Sequence, residues 1–186
     1  MTGEATVVKN AGSHYMLSML PDFNERMCRV GALLIRYRAQ YCRALDGYAA
    51  PAHEDCSGGR EKLTLGYETV KTVLDPFAKT EDIARNLREH QESHYHAELA
   101  SGLCLSGPHK DDFIVEVNGR SARQFCSQGQ VRTAALSLKL ADREIHRSAV
   151  GEYPVMLLDD VLSELDPKRQ EYVLNRISGG QVFITC

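Results

Sequence analysis

Apolar residues at Phe23, Met27, Val30, Leu34, Tyr37, Tyr41, Leu45 and Tyr48 advance along the chain in steps of three and four, with Arg and Gln between them. That spacing predicts one long helix carrying an a/d stripe that packs against a second helix. Asp22, just after Pro21, is the expected N-cap, and the helix is expected to end before Pro51. Residues 1–16 are polar and weakly patterned, which predicts a loose start. After the turn Ser57-Gly58-Gly59, Leu63, Leu65 and Tyr67 alternate with Lys62, Thr64 and Gly66, the pattern of a strand. Thr80, followed by Glu81 and Asp82, predicts the start of a second helix running to about Leu99. Its stripe (Ile83, Leu87, Tyr95, Leu99) is thinner, and the two helices are expected to form an antiparallel hairpin.

Gly107-Pro108 breaks this pattern. Beyond it, Phe113–Val117 and Arg120–Phe125 flank Asn118-Gly119, two residues tolerant of positive φ, which predicts a β-hairpin. Ser127 is the expected cap of an amphipathic helix marked by Val131, Ala134, Ala135, Leu138, Ala141 and Ile145. Pro154 opens an apolar strand, Val155-Met156-Leu157-Leu158, that ends on Asp159 and Asp160. Pro167 suits the first turn of another helix, through Ile177, and Gly179-Gly180 ends it. The last strand covers residues 181–185 and stops at Cys186. A domain rarely ends on a buried-looking strand with no tail, so the sequence is expected to be a piece of a longer one.

A length of 186 residues allows one domain or two small ones. With 22 Lys+Arg against 25 Asp+Glu, the net charge of -3 offers no global basic field for nucleic acid, so any DNA contact needs a local patch. Arg26, Arg29, Arg36, Arg38 and Arg43, and Arg60 with Lys62, are candidates for such a patch, though for any one of them a solvated helix face is the simpler reading. No apolar run is long enough to span a bilayer and no signal layout opens the chain. Six scattered cysteines without a C-x-x-C pair suggest free thiols in a reducing cytoplasm. The equal spacing of Cys28, Cys42 and Cys56 fits a helical repeat rather than a metal site. His90 and His94 share a helix face but have no third ligand at suitable spacing, and His109 in its Gly-Pro turn reads as structural.

Two segments carry chemistry. Ser127-Gln128-Gly129-Gln130 sits at a helix start, where free N–H groups and the positive end of the helix dipole favour an anion. Alone, it is better explained by an ordinary Ser cap. The strand ending Leu157-Leu158-Asp159-Asp160, some thirty residues on, shifts the balance: a buried strand tipped with acid is how NTPases place a carboxylate beside nucleotide-bound magnesium. Against this stands one absence, since no G-x-x-x-x-G-K-[ST] phosphate loop occurs in the 186 residues.

The order hairpin, Ser127–Gln130, helix, Asp159-Asp160, Ser163-Glu164-Leu165-Asp166, helix, strand resembles the C-terminal half of an ABC-type ATPase head. Gly107-Pro108-His109-Lys110-Asp111-Asp112, Ser127–Gln130 and Arg60-Glu61-Lys62-Leu63 make it most similar to the RecF family, SMC-related mediators of bacterial recombination. The resemblance covers residues 15–186 and is strongest from Gly107 onward. It implies an α/β fold, with a helical-hairpin arm and small strand region over residues 1–105 and a partial head, signature helix plus Walker B half, over residues 106–186. It implies that Asp159 holds magnesium and that Asp160 stands where many relatives have the Glu that polarises the attacking water. Ser127, Gln128, Gly129 and Gln130 would touch the γ-phosphate of ATP held by the opposite subunit, and Ser163 and Asp166 would belong to the D-loop. Members of the family bind ATP and Mg, dimerise, and load recombination factors at single-strand/double-strand DNA junctions, in replication, recombinational repair and the SOS response.

Backbone cradling of phosphates cannot be replaced by the remaining half of such a site, so this chain alone is expected neither to bind ATP tightly nor to hydrolyse it. The strand edge left open is expected to be hidden by dimerisation, segment swapping or local refolding. The rival expectations are a non-catalytic dimerisation scaffold driven by the long helix, or another SMC-like repair ATPase.

Overall fold

The computed structural model describes residues 3–162 and 165–185, with residues 3–16 described as backbone alone. Its first element, α1, runs from Gly3 to Cys56 and is longer at both ends than the sequence predicts. Neither proline ends it, and Asp22 lies inside it rather than at its cap. A proline within a helix loses one hydrogen bond and crowds the carbonyl four residues back. For Pro51 that residue is Gly47, with open space around it, and the turn beyond is anchored by burial of Ala52, His53 and Cys56. Packing supplies most of a helix's stability in a protein, so it overrides the local breaker.

The buried face of α1 is also not the expected one. Cys28, Ala32, Ile35, Ala39, Cys42, Ala49, Ala52 and Cys56 are buried, whereas Phe23, Val30 and Tyr37 are 61%, 64% and 65% exposed. Close-packed neighbours need small side chains on the shared face, and the three evenly spaced cysteines lie on it. A stripe chosen by the size of its hydrophobic residues therefore picks the opposite side.

The described residues form two compact units that interleave along the chain. The first comprises α1 up to Ala39 together with Glu68–Asp112, and the second comprises Gln40–Tyr67 and the chain from Phe113 onward. The sequence suggests instead a single boundary near residue 105; α1 is long enough to contribute to both units.

In the first unit, α2 spans Thr80–Ser101. Lys79, not Thr80, holds the N-cap position, and Gly102 closes the helix at φ 67 with its N–H on Glu98 O. The Thr80 end of α2 lies near Val30 and Leu33, and Tyr95 and His96 lie near Pro21 and Asn24, so the pair is antiparallel as expected. Gly31 makes the approach possible: a Cβ there would stand 3.0 Å from Pro108 Cδ and 3.3 Å from Leu87 Cδ1. Arg88 donates to Glu25 Oε2 at 2.6 Å across the pair. His90 is half-buried and stacks on His94 at 4.1 Å, with its Nδ1 2.9 Å from Ser106 Oγ, so this face is only partly solvated.

But for their boundary residues Glu68 and Asp112, β1 (Leu63–Glu68), β2 (Asp112–Val117) and β3 (Arg120–Ser121) belong to the second unit and form a sheet in that order. Asn118 (φ 53) and Gly119 (φ 71) make the tight antiparallel turn between β2 and β3, as predicted. The expected second arm of this hairpin stops after two residues. Ala122–Phe125 is a helical turn, α3, because Ala, Arg and Gln favour helix and Ala122 is drawn into the core. Then α4 (Gln128–Val150) divides the unit into two cores. Ala134 and Ala141 pack with Ala49, Leu63 and Val117 on one side. Leu136 and Leu140 pack with Met156, Leu158, Val173 and Ile177 on the other.

The second core lies under β4 (Met156–Leu158) and β5 (Val182–Ile184), a parallel pair with Leu157 opposite Phe183. The helix α5 (Pro167–Arg176) precedes β5. The acidic strand is thus buried on one face only, since Leu157 is 73% and Phe183 59% exposed. Behind these strands Arg143, at 3% exposure, donates to Ile177 O and Gly179 O and stacks over the Tyr153 ring at 3.8 Å. Gly180 (φ 72) passes so close that a Cβ would stand 2.7 Å from Tyr153 Cβ.

Candidate functional site

The β4 strand delivers Asp159 and Asp160 to its exposed tip. Asp160 adopts φ 51, a left-handed conformation that short polar side chains tolerate better than longer or branched ones. That backbone accounts for an Asp at this position independently of its chemistry. The two acids are organised by Thr185, at the end of the parallel neighbour β5. Its hydroxyl donates to Asp159 Oδ1 at 2.5 Å and accepts from the Asp160 N–H at 3.0 Å, while its own N–H donates to Leu158 O at 3.0 Å. One hydroxyl therefore fixes the rotamer of the first acid and the turn of the second. A groove of about 580 Å³ opens beside them between α4 and β4, lined by Arg132, Lys139, Asp142 and residues 154–161.

Residues 127–130 do not line this groove. Ser127 caps α4 in a full capping box: its Oγ accepts from the Gln130 N–H (3.3 Å), and Gln130 Oε1 accepts from the Ser127 N–H (3.0 Å). The first intrahelical bond is Val131 N–H to Ser127 O, which leaves the N–H groups of Gln128 and Gly129 directed off the helix end. Those two amides and the helix dipole make the anion-favouring feature here. The Ser127 hydroxyl is engaged with its own helix, also lying 3.2 Å from Gln130 Oε1.

Asp166 caps α5, with Oδ1 accepting from the Lys168 and Arg169 N–H groups, both at 3.1 Å. Pro167 takes the first helical position, as the sequence predicts. Ser163 lies outside the described residues. Arg169 turns back from α5 to Asp166 Oδ2 (3.5 Å) and to Glu61 Oε1 (3.7 Å), and Gln130 Nε2 donates to the same Glu61 oxygen at 3.2 Å. On its other side Glu61 Oε2 lies 3.2 Å from Nε2 of the fully buried His53, close but poorly aligned. His53 Nδ1 is 3.3 Å from Ser137 Oγ.

Burial pushes the His53 ring below its ordinary 6.5, against the opposing pull of Glu61. The folded chain therefore resists a proton that the unfolded chain accepts near 6.5, so this contribution to stability is complete above that pH and is lost as pH falls below it. Urea midpoints are expected to drop between about pH 7 and about pH 5.5, with His53→Gln flattening that slope. An unchanged slope in the variant would remove His53 as the cause.

Sequence reasoning missed Thr185, Arg169 and His53, and met Glu61 only within a motif. Among the described residues, no group of three His, Cys, Asp or Glu side chains is arranged to hold a metal ion. One or two strand-tip carboxylates fit magnesium that arrives with phosphates and water, the usual mode for this hard cation, and do not fit an all-protein metal cage.

No family model matches the chain. It is 37% identical over its full 186 residues to the DNA replication and repair protein RecF of Clostridium kluyveri, covering 50% of that protein. To RecF of Bacillus subtilis it is 42% identical over 172 residues, 90% of this chain and 45% of the relative. The chain thus spans about half the length of the curated relatives it matches, and it resembles their C-terminal half. Among solved structures, the recombination mediator protein RecF with ATPrS, from the RecFOR pathway, superposes with a TM-score of 0.80 at 35% identity. That match covers 91% of this chain and 45% of the other. The RecF-ATP structure gives the same TM-score at 36% identity. The mixed α/β fold therefore resembles part of the RecF structure.

Proposed function

We propose that this chain, so similar to the C-terminal half of RecF, supplies the signature and Walker B half of a RecF-like, SMC-related ABC-type ATPase head acting in DNA replication and recombinational repair. The observation that carries this reading is the strand-tip pair Asp159 and Asp160 held by Thr185, in a chain aligned with RecF along its length. Asp159 would hold magnesium, which supplies charge neutralisation at the phosphates when bound. Asp160 orients the attacking water. Its side chain is one methylene shorter than the Glu common in transporters, and its left-handed backbone favours that shorter side chain. The free N–H groups of Gln128 and Gly129 face the γ-phosphate of ATP on an opposite subunit, and Ser127 joins them by turning its hydroxyl away from Gln130. Ser163 and Asp166 belong to the D-loop of that interface. DNA at single-strand/double-strand junctions, other recombination mediators and a second copy of the protein are the partners this reading implies, with the SOS response as its setting.

The 186 residues contain no phosphate loop, so by itself the chain neither binds ATP tightly nor turns it over. The half that does carry the loop packs on the exposed side of β4 and β5, where Leu157 and Phe183 stand uncovered. A second reading, a dimerisation scaffold, is favoured by the exposed stripe Phe23, Val30 and Tyr37 on α1.

One experiment separates the two. The chain is mixed with a separately purified phosphate-loop half of a RecF protein, and ATP binding is followed by equilibrium dialysis and assembly by sedimentation. Restored ATP binding is the expected result. Self-association that ignores both nucleotide and the added half would instead support the scaffold.

A further inference from the structure

Three stretches of the second unit converge on a carboxylate supplied by a fourth. Glu61 comes from the loop before β1, Gln130 from the first turn of α4, Arg169 from the first turn of α5, and His53 from the last turn of α1. The side chains of Glu61 and Arg169 are only 13% and 14% exposed, and that of His53 is fully buried. Gln130 and Arg169 share Glu61 Oε1, at 3.2 Å and 3.7 Å. Arg169 Nε also lies 3.5 Å from Asp166 Oδ2, an ion-pair distance without an aligned hydrogen bond, and its Nη1 lies 3.7 Å from where a Gly129 Cβ would stand.

Two candidate motifs, at the starts of α4 and α5, are therefore tied through the single side chain of Glu61 rather than through an apolar contact. An ion pair this shielded from water is screened little by salt. Gln130 serves both sides of the link. Its backbone N–H and Oε1 close the capping box on Ser127, while its Nε2 holds Glu61. The contacts thus run without a break from Ser127 through Gln130, Glu61 and Arg169 to the Asp166 cap.

We propose that Glu61 and Arg169 are positioning residues that couple the Ser127–Gln130 turn to the Asp166 turn, so that the first turn of each helix is held by the state of the other. The use of this coupling in ATP engagement rests on the function proposed above; the coupling itself is a property of this chain without nucleotide.

Amide hydrogen exchange on the whole 186-residue chain tests it. The reporters are the N–H groups of Lys168 and Arg169, bonded to Asp166, and those of Gln130 and Val131 at the start of α4. Gln130→Met, a change confined to α4, is expected to speed exchange at Lys168 and Arg169 about tenfold. Arg169→Met should speed Gln130 and Val131 by a similar factor. Ile177→Val serves as the control, because it weakens the core without touching the link. It should leave the two turns in step with the rest of the unit.

If Gln130→Met perturbs α4 alone, or if Ile177→Val reproduces the same pattern, the coupling is refuted. Should Arg169→Met fail to fold, the Gln130→Met arm and Glu61→Gln, which keeps an acceptor but loses the charge, decide the matter. Failure of a phosphate-loop half to restore ATP binding would sink the ATPase reading and leave these exchange rates unaffected.

Discussion

Arg143→Ala is expected to lower the stability of the second unit by about 3 kcal/mol, a large part of the roughly 5–15 kcal/mol typical of a folded domain. Arg143 is 3% exposed and holds the chain between α5 and β5 by donating to Ile177 O and Gly179 O. Each hydrogen bond from a charged donor contributes about 1.5–3 kcal/mol, and stacking over Tyr153 at 3.8 Å adds about 0.5–2 kcal/mol. Its Nε and Nη1 are buried without partners, which offsets part of that gain. Alanine leaves both carbonyls without their donor and opens a cavity. Arg143→Met fills the cavity, so it should cost less, by roughly half. The chain contains no Trp, so urea unfolding would be followed by circular dichroism or tyrosine fluorescence. A loss below about 1 kcal/mol for alanine would mean that the Ile177–Gly179 segment is held by something else.

Asp159→Asn, in a head reconstituted with the phosphate-loop half, is expected to cut ATP turnover by about 10³-fold or more. On the proposed function it removes the carboxylate for magnesium, and metal charge stabilisation is worth several kcal/mol. Thr185→Val should cost about 10–100-fold, the usual penalty for losing the hydrogen bond that orients a metal ligand. The Thr185 hydroxyl touches both Asp159 and the Asp160 amide, so Thr185→Ser should restore most of the activity. Phosphate release at several Mg concentrations separates the two: Asp159→Asn loses turnover at every concentration, and Thr185→Val is partly rescued by excess Mg. Equal losses in both variants at saturating Mg would contradict the orienting role of Thr185.

What could be foreseen from sequence was local. The Ser127 cap, the Asn118-Gly119 turn and the Asp166-Pro167 helix start depend on residues within a turn of one another, and each is found where its chemistry places it. The acids at the tip of β4 belong to the same class. Features that depend on distant partners escaped. Nothing near Thr185 announces that its hydroxyl will meet Asp159, 26 residues away, and nothing near Glu61 foretells Gln130, 69 residues away. The packed face of α1 is set by distant partners too. Large apolar residues dominate any sequence stripe, but the neighbours of this helix come close enough to require alanine and cysteine. The continuation through Pro51 follows from the same packing.

That cysteine-bearing face has a practical consequence. Cys28 lies in the first unit and Cys42 and Cys56 in the second, all buried and with thiols pushed up by burial, so none presents a reactive thiolate while packed. Each reacts only when its stretch of helix opens. A single helix thereby carries clocks for two units at fourteen-residue intervals: alkylation rates at Cys28 against Cys42 and Cys56 read whether the units breathe together or independently.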